Sequence, residues 1–111
     1  MEKFMYLFRG GGRLNQSPEE WQGQMQKWYQ WIASLQADGS YVNGDPLQAG
    51  GTQVRGRDKV VTDGPFTEAK EMVGGCIVVN ARDMDHAVEI SKGCPIFDEN
   101  GQVEIRAVQK M

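Results

Sequence analysis

The chain has 111 residues, 12 Lys and Arg against 15 Asp and Glu, a net charge of −3 and only two cysteines. Mixed charges without a clustered basic face exclude the usual electrostatic footprint of a nucleic-acid binder, and no apolar run approaches the ~18 residues that cross a bilayer. Two cysteines are too few for a disulfide framework in a small secreted domain. We therefore expect one domain over residues 1–111, cytoplasmic, with reduced thiols, no membrane and no nucleic acid among its partners, and no signal peptide at Met1-Glu2-Lys3-Phe4.

In chain order, Lys3 to Arg9 predicts a strand with Phe4, Tyr6 and Phe8 on one face and Met5, Leu7 and Arg9 on the other. Both faces are apolar, unlike an antiparallel strand with one side in water. Gly10-Gly11-Gly12 follows, without the spacing of a phosphate-binding loop, and reads as a connection. Ser17-Pro18-Glu19-Glu20 is a helix start, with Ser as N-cap and Pro at the first helical position. Trp21, Met25, Trp28, Ile32 and Leu35 then form one apolar stripe ended by Asp38-Gly39, with Tyr29 and Trp31 off its centre, facing a cleft or a partner.

Ser40 to Asn43 is a short strand, followed by turns at Gly44-Asp45-Pro46-Leu47 and Ala49-Gly50-Gly51. Thr52 to Arg57 and Lys59 to Thr62 make a hairpin turning at Arg57-Asp58. Met72 to Asn80 is a strand again apolar on both faces, which places Cys76 in a core. Its Gly74-Gly75 permits a bulge or a close backbone approach. Asp83 caps a second helix, Met84 to Lys92, closed by Gly93 and Pro95, which leaves Cys94 the more exposed thiol. The last strand, Gln102 to Gln109, puts Val103, Ile105 and Ala107 on one face and Glu104, Arg106 and Val108 on the other.

This order gives an α+β fold, a ferredoxin-like βαββαβ domain with a hairpin insertion. Two helices cover only one face of such a sheet. The second apolar face calls for the sheet of another copy, hence a homodimer, a dimeric α/β barrel. Glu104 and Arg106 then point into the cleft between the facing sheets, and a buried charge must be paired. The charged turn Asp63, Glu68, Lys70, Glu71 enters the same region if it folds over the cleft mouth. Two readings follow: a pocket for a small polar or anionic molecule, or a closed salt-bridge network. In the first, Asp63 and Glu68 are the candidate catalytic groups, and Lys70, Glu104, Arg106 and Arg9 the candidate ligand-binding ones. In the second, the protein is a non-catalytic regulatory or interaction module. A lone His86 and the lack of a Cys-x-x-Cys pair call for no metal and no cofactor.

Val61-Thr62-Asp63-Gly64-Pro65-Phe66-Thr67-Glu68-Ala69-Lys70-Glu71 with Gly74-Gly75, together with Phe4-Met5-Tyr6-Leu7, Cys94-Pro95 and Val103 to Val108, resembles the DGPF proteins of the YCII-related superfamily. The resemblance implies a dimeric α+β barrel of ferredoxin-like protomers. It also implies kinship with enzymes that use a His-Asp pair, a dehydrochlorinase among them, and with domains found beside extracytoplasmic-function sigma factors. No histidine lies near the first strand or first helix here, and His86 does not match the position. Acid–base chemistry, of lyase or hydrolase type, would fall to Asp63, Glu68 or Glu104, tuned by burial and by Lys70 or Arg106.

Overall fold

A computed structural model of the chain describes residues 1–11, 16–63 and 72–111. The elements are β1 (Glu2–Arg9), α1 (Pro18–Ala37), β2 (Tyr41–Pro46), β3 (Thr52–Arg55), β4 (Val60–Asp63), β5 (Val73–Ala81), α2 (Met84–Ser91), a 3-10 helix (Pro95–Glu99) and β6 (Gln102–Ala107). One antiparallel sheet has the order β2-β5-β1-β6, and β3 pairs with β4 in a separate two-stranded sheet. With the β3–β4 hairpin set aside, this is the ferredoxin-like α+β order expected from the chain.

The alternation of β1 decides where the core lies. Phe4, Tyr6 and Phe8 pair with Val79, Ile77 and Gly75 of β5 and with Ala107, Ile105 and Val103 of β6. These residues form the face that α1 and α2 cover, joined by Trp31, Leu35, Ala87, Cys94 and Ile96. Tyr6 is fully buried, lies against Trp31 in a stacked geometry and donates its hydroxyl to the Ala87 carbonyl at 2.5 Å, tying β1 to α2. Burial pushes the phenol's pKa well above its ordinary value, with the Cys94 thiol adding to the effect. The helix starts match the caps read from sequence: Ser17 Oγ accepts from Glu20 N, and Asp83 Oδ1 from His86 N. The His86 ring is used locally, its Nδ1 accepting from Arg82 N at 3.0 Å.

Four local expectations are corrected. Trp31, placed off the apolar stripe, is a core residue at 8 % exposure, whereas Trp21 on the stripe is 55 % exposed. Of α1, the core takes Trp31 and Leu35, with Trp28 and Ile32 partly buried against it. Cys76 is half-buried on the uncovered face of the sheet, and Cys94 is the buried thiol. It sits at the entry to the 3-10 helix, an element of five residues too short to show a period in the sequence. Burial pushes the Cys94 thiol up to about 12, with Asp98 raising it further and a hydrogen bond at Ile96 opposing. Finally, β2 runs on through Gly44-Asp45-Pro46, which the sequence suggests as a turn. An edge strand tolerates proline because one side of its backbone needs no partner.

The other face of the sheet carries Met5, Leu7, Cys76 and Val78, all half-buried, flanked by Lys3, Arg9, Glu104 and Arg106. Among the described residues no helix covers it, and they span only 18 Å in one direction against 45 × 44 Å in the others.

Candidate functional site

The sequence-predicted site residues fall in three places. Arg9, Glu104 and Arg106 come together on the uncovered sheet face. Register sets Glu104 beside Leu7 and Arg106 beside Met5. Arg9 Nη1 donates to Glu104 Oε1 in a short ion pair, and Arg106 Nη1 donates to the other oxygen, Oε2, at 3.3 Å. The hydrogen bond from Arg9 holds the Glu104 carboxyl below its usual pKa, with the Arg106 guanidinium reinforcing it. Asp63 ends β4 in the separate hairpin. Glu68 and Lys70, with the rest of 64–71, lie outside the described residues.

A cavity of about 480 Å³ opens on the opposite side of the sheet, between the first turns of α1 and the ends of β1, β2 and β5. Its size falls in the range typical of small-molecule sites. Aromatic side chains dominate the lining: Phe8 from β1, Trp21, Trp28 and Tyr29 from α1, and Tyr41 from β2. Met25 and Ile32 add apolar surface, and Gln16, Gln24 and Glu99 supply polar groups.

Local sequence explains the space. Trp21, Gln24, Met25 and Trp28 recur at helical spacing and so share one side of α1. Across from them the sheet offers Gly75, whose place on the helix-facing side carries no side chain. A Cβ on Gly75 would stand 3.0 Å from the Asp45 carbonyl oxygen, and one on Gly44 2.6 Å from Ile77 Cγ1. These glycines therefore let β2 close tightly on β5, the close backbone approach the sequence allows at Gly74-Gly75. The bulge it also allows is present, since Phe8 pairs with Gly75 and Arg9 with Val73, leaving Gly74 as the extra residue.

The rim is fixed by two amides. Gln16 Nε2 donates to Glu99 Oε1 at 2.6 Å and Gln24 Nε2 donates to the Pro95 carbonyl at 3.1 Å, so the 3-10 helix is strapped to α1 across the cavity end. Both partners can only accept, which sets the orientation of each amide and turns its Oε1 away from that bond. Phe8 and Trp28 meet edge-to-face at 5.2 Å and stiffen the inner wall. Among the described residues no group of three His, Cys, Asp or Glu side chains gathers as a metal would need, and no helix is long and apolar enough to cross a membrane. Sequence reasoning gave Trp21 and Trp28 to a core stripe and set Tyr29 and Trp31 off it, facing a cleft or a partner; Tyr29 lines the cavity, whereas Trp31 is core.

Comparison with known proteins bears on fold and family. Among solved structures, 5-chloro-2-hydroxyhydroquinone dehydrochlorinase from Burkholderia phenoliruptrix, in complex with 2,5-dihydroxybenzoquinone, is similar over 98% of this chain and 95% of its own, with a TM-score of 0.51. At 14% sequence identity that likeness shows a shared fold. No curated protein matches the sequence. The family model of the YCII-related domain matches residues 6–111, from the middle of β1 past the end of β6, and the chain thus belongs to the YCII-related family.

Proposed function

We propose that the protein binds a small, flat ring compound in the cavity between α1 and the β1, β2 and β5 ends. The observation that carries this reading is the aromatic lining of a 480 Å³ space, with Trp21, Trp28, Tyr29 and Tyr41 presenting ring surface from two sides. Stacked and edge-on rings recognise planar apolar ligands, while the Gln16 and Gln24 carbonyl oxygens can accept from hydroxyl groups at its edge. A neighbour of the same fold is described with a hydroxylated quinone, a ligand of that chemistry. A thermal-shift and calorimetric panel of hydroxylated benzenes and hydroxybenzoquinones, set against aliphatic dicarboxylates, tests it. Ring compounds should raise the melting temperature by several degrees through mass action, and Trp21→Ala, exposed enough to leave folding intact, should abolish the shift. If only the aliphatic anions shifted it, the site would lie elsewhere.

A second reading concerns assembly. The apolar centre of the uncovered sheet face, Met5, Leu7 and Val78, supports a homodimer with sheet facing sheet. In this reading Arg9, Glu104 and Arg106 form an ion-pair network that orients the two copies, and they do not hold a ligand. Light scattering at micromolar concentration checks it: a monomer there would refute it.

A further inference from the structure

The β3–β4 hairpin stands apart from the layer described so far. Its strands pair with each other, Thr52 with Asp63, Gln53 with Thr62, Val54 with Val61 and Arg55 with Val60. It makes no substantial contact with any other strand or helix among the described residues. Each strand has four residues, closed by a turn in which Lys59 N donates to Gly56 O and both Gly56 and Lys59 take positive φ. A lone hairpin of this size is marginally stable in water. This one also exposes its best packing surface: Val54 and Val61 are cross-strand neighbours, 60 % and 65 % exposed. The same alternation places Asp63 on their face. The radius of gyration, 15.6 Å, exceeds the roughly 13 Å of a compact chain of this length, as a one-sided layer with a projecting arm requires.

The uncovered sheet face has complementary needs. Its centre is apolar, and its strands set the cations Lys3, Arg9 and Arg106 against two carboxylates, Glu104 on β6 and Asp45 on β2, which pairs with Cys76. Glu104 already accepts from Arg9, and the Arg106 side chain remains 69 % exposed with only a 3.3 Å contact to it. The face thus carries apolar surface and unbalanced positive charge, and the hairpin face carries valines and a carboxylate.

We propose that the β3–β4 hairpin is an arm that reaches onto a second copy of this chain, closing Val54 and Val61 against the partner and setting Asp63 against the excess positive charge of β1 and β6. The proposal rests on the homodimer reading above and adds to it the element that clasps the two copies. Because a two-fold interface repeats each contact, every arm substitution acts twice per dimer.

Sedimentation equilibrium on the full chain tests it with three proteins: the wild type, Val54→Lys/Val61→Lys in the arm, and Leu7→Lys on the sheet face. The wild type should be a dimer, and both variants should weaken its dissociation constant at least 100-fold with the far-UV circular dichroism unchanged. A charge exchange adds specificity: Asp63→Lys should weaken the dimer about tenfold or more, and Arg106→Glu in the same chain should recover most of that loss. If Leu7→Lys breaks the dimer while the arm variant stays within twofold of wild type, the arm is overturned and the facing-sheet dimer stands. A monomeric wild type overturns both. Hydrogen exchange needs no variant: arm amides such as that of Val61 should gain protection as concentration rises through the dimer midpoint, and equal exchange below and above it would overturn the arm.

Discussion

Tyr6→Phe isolates one hydrogen bond at the centre of the molecule. The ring stays, with its stacked contact to Trp31 at 6.3 Å and its edge contact to Phe8, and only the hydroxyl that donates to the Ala87 carbonyl is lost. Tyr6 is fully buried, so no water replaces the bond, and the expected loss is about 1–2 kcal/mol. At ~2.1 cal/mol/K per residue the unfolding entropy of a chain this size is roughly 0.23 kcal/mol/K, so the melting temperature should fall about 4–9 °C. The comparison must be made at one protein concentration, since under the homodimer reading the melting point depends on it. Tyr6→Leu, which also removes the ring contacts, must cost more. A pH series adds a second check. The native phenol's pKa is raised, so the native state keeps a proton that the unfolded chain releases above pH 10. The contribution is complete below pH 10 and declines above it, so the wild type minus Tyr6→Phe stability difference should shrink as pH rises past 10. A fall under about 1 °C, or Tyr6→Leu proving milder than Tyr6→Phe, would refute this account of the core.

Gly44→Ala should cost about 1–3 kcal/mol in urea unfolding, because its Cβ would stand 2.6 Å from Ile77 Cγ1 and 2.8 Å from the Cys76 carbonyl, forcing β2 off β5. Cys94, pushed up to about 12 by burial, should make stability drop by at most about 1.4 kcal/mol per pH unit from pH 9 toward 12, since only the unfolded thiol ionises there; the wild type minus Cys94→Ala difference reads that slope. In thiol labelling, Cys94 should stay unmodified until unfolding, while under the homodimer reading Cys76 on the sheet face should react faster as the protein is diluted. Arg9→Ala should let the Glu104 carboxyl titrate closer to 4.5 in an NMR pH series; its native pKa is depressed, so the pairing is complete above the unfolded value and is lost as pH falls through the native one.

The two faces of β1 were legible in the residues themselves. A period of two fixes that Phe4, Tyr6 and Phe8 lie opposite Met5, Leu7 and Arg9, and that Glu104 and Arg106 share the second face once Val103 and Ile105 turn to the helices. The caps at Ser17 and Asp83 are equally local, since a side chain three residues away satisfies the helix end. Tertiary structure alone decided the fates of Trp21 and Trp31, which helical spacing ranks the other way round: burial depends on what packs against each turn of α1. It also decided which cysteine is buried, because Cys94 is enclosed by a 3-10 helix whose packing on α1 involves residues some 70 positions away in sequence, such as Gln24. The cavity belongs to the same class. An empty space is a property of how elements meet, not of any one stretch, and here it arises where α1 overhangs a sheet that ends in glycine.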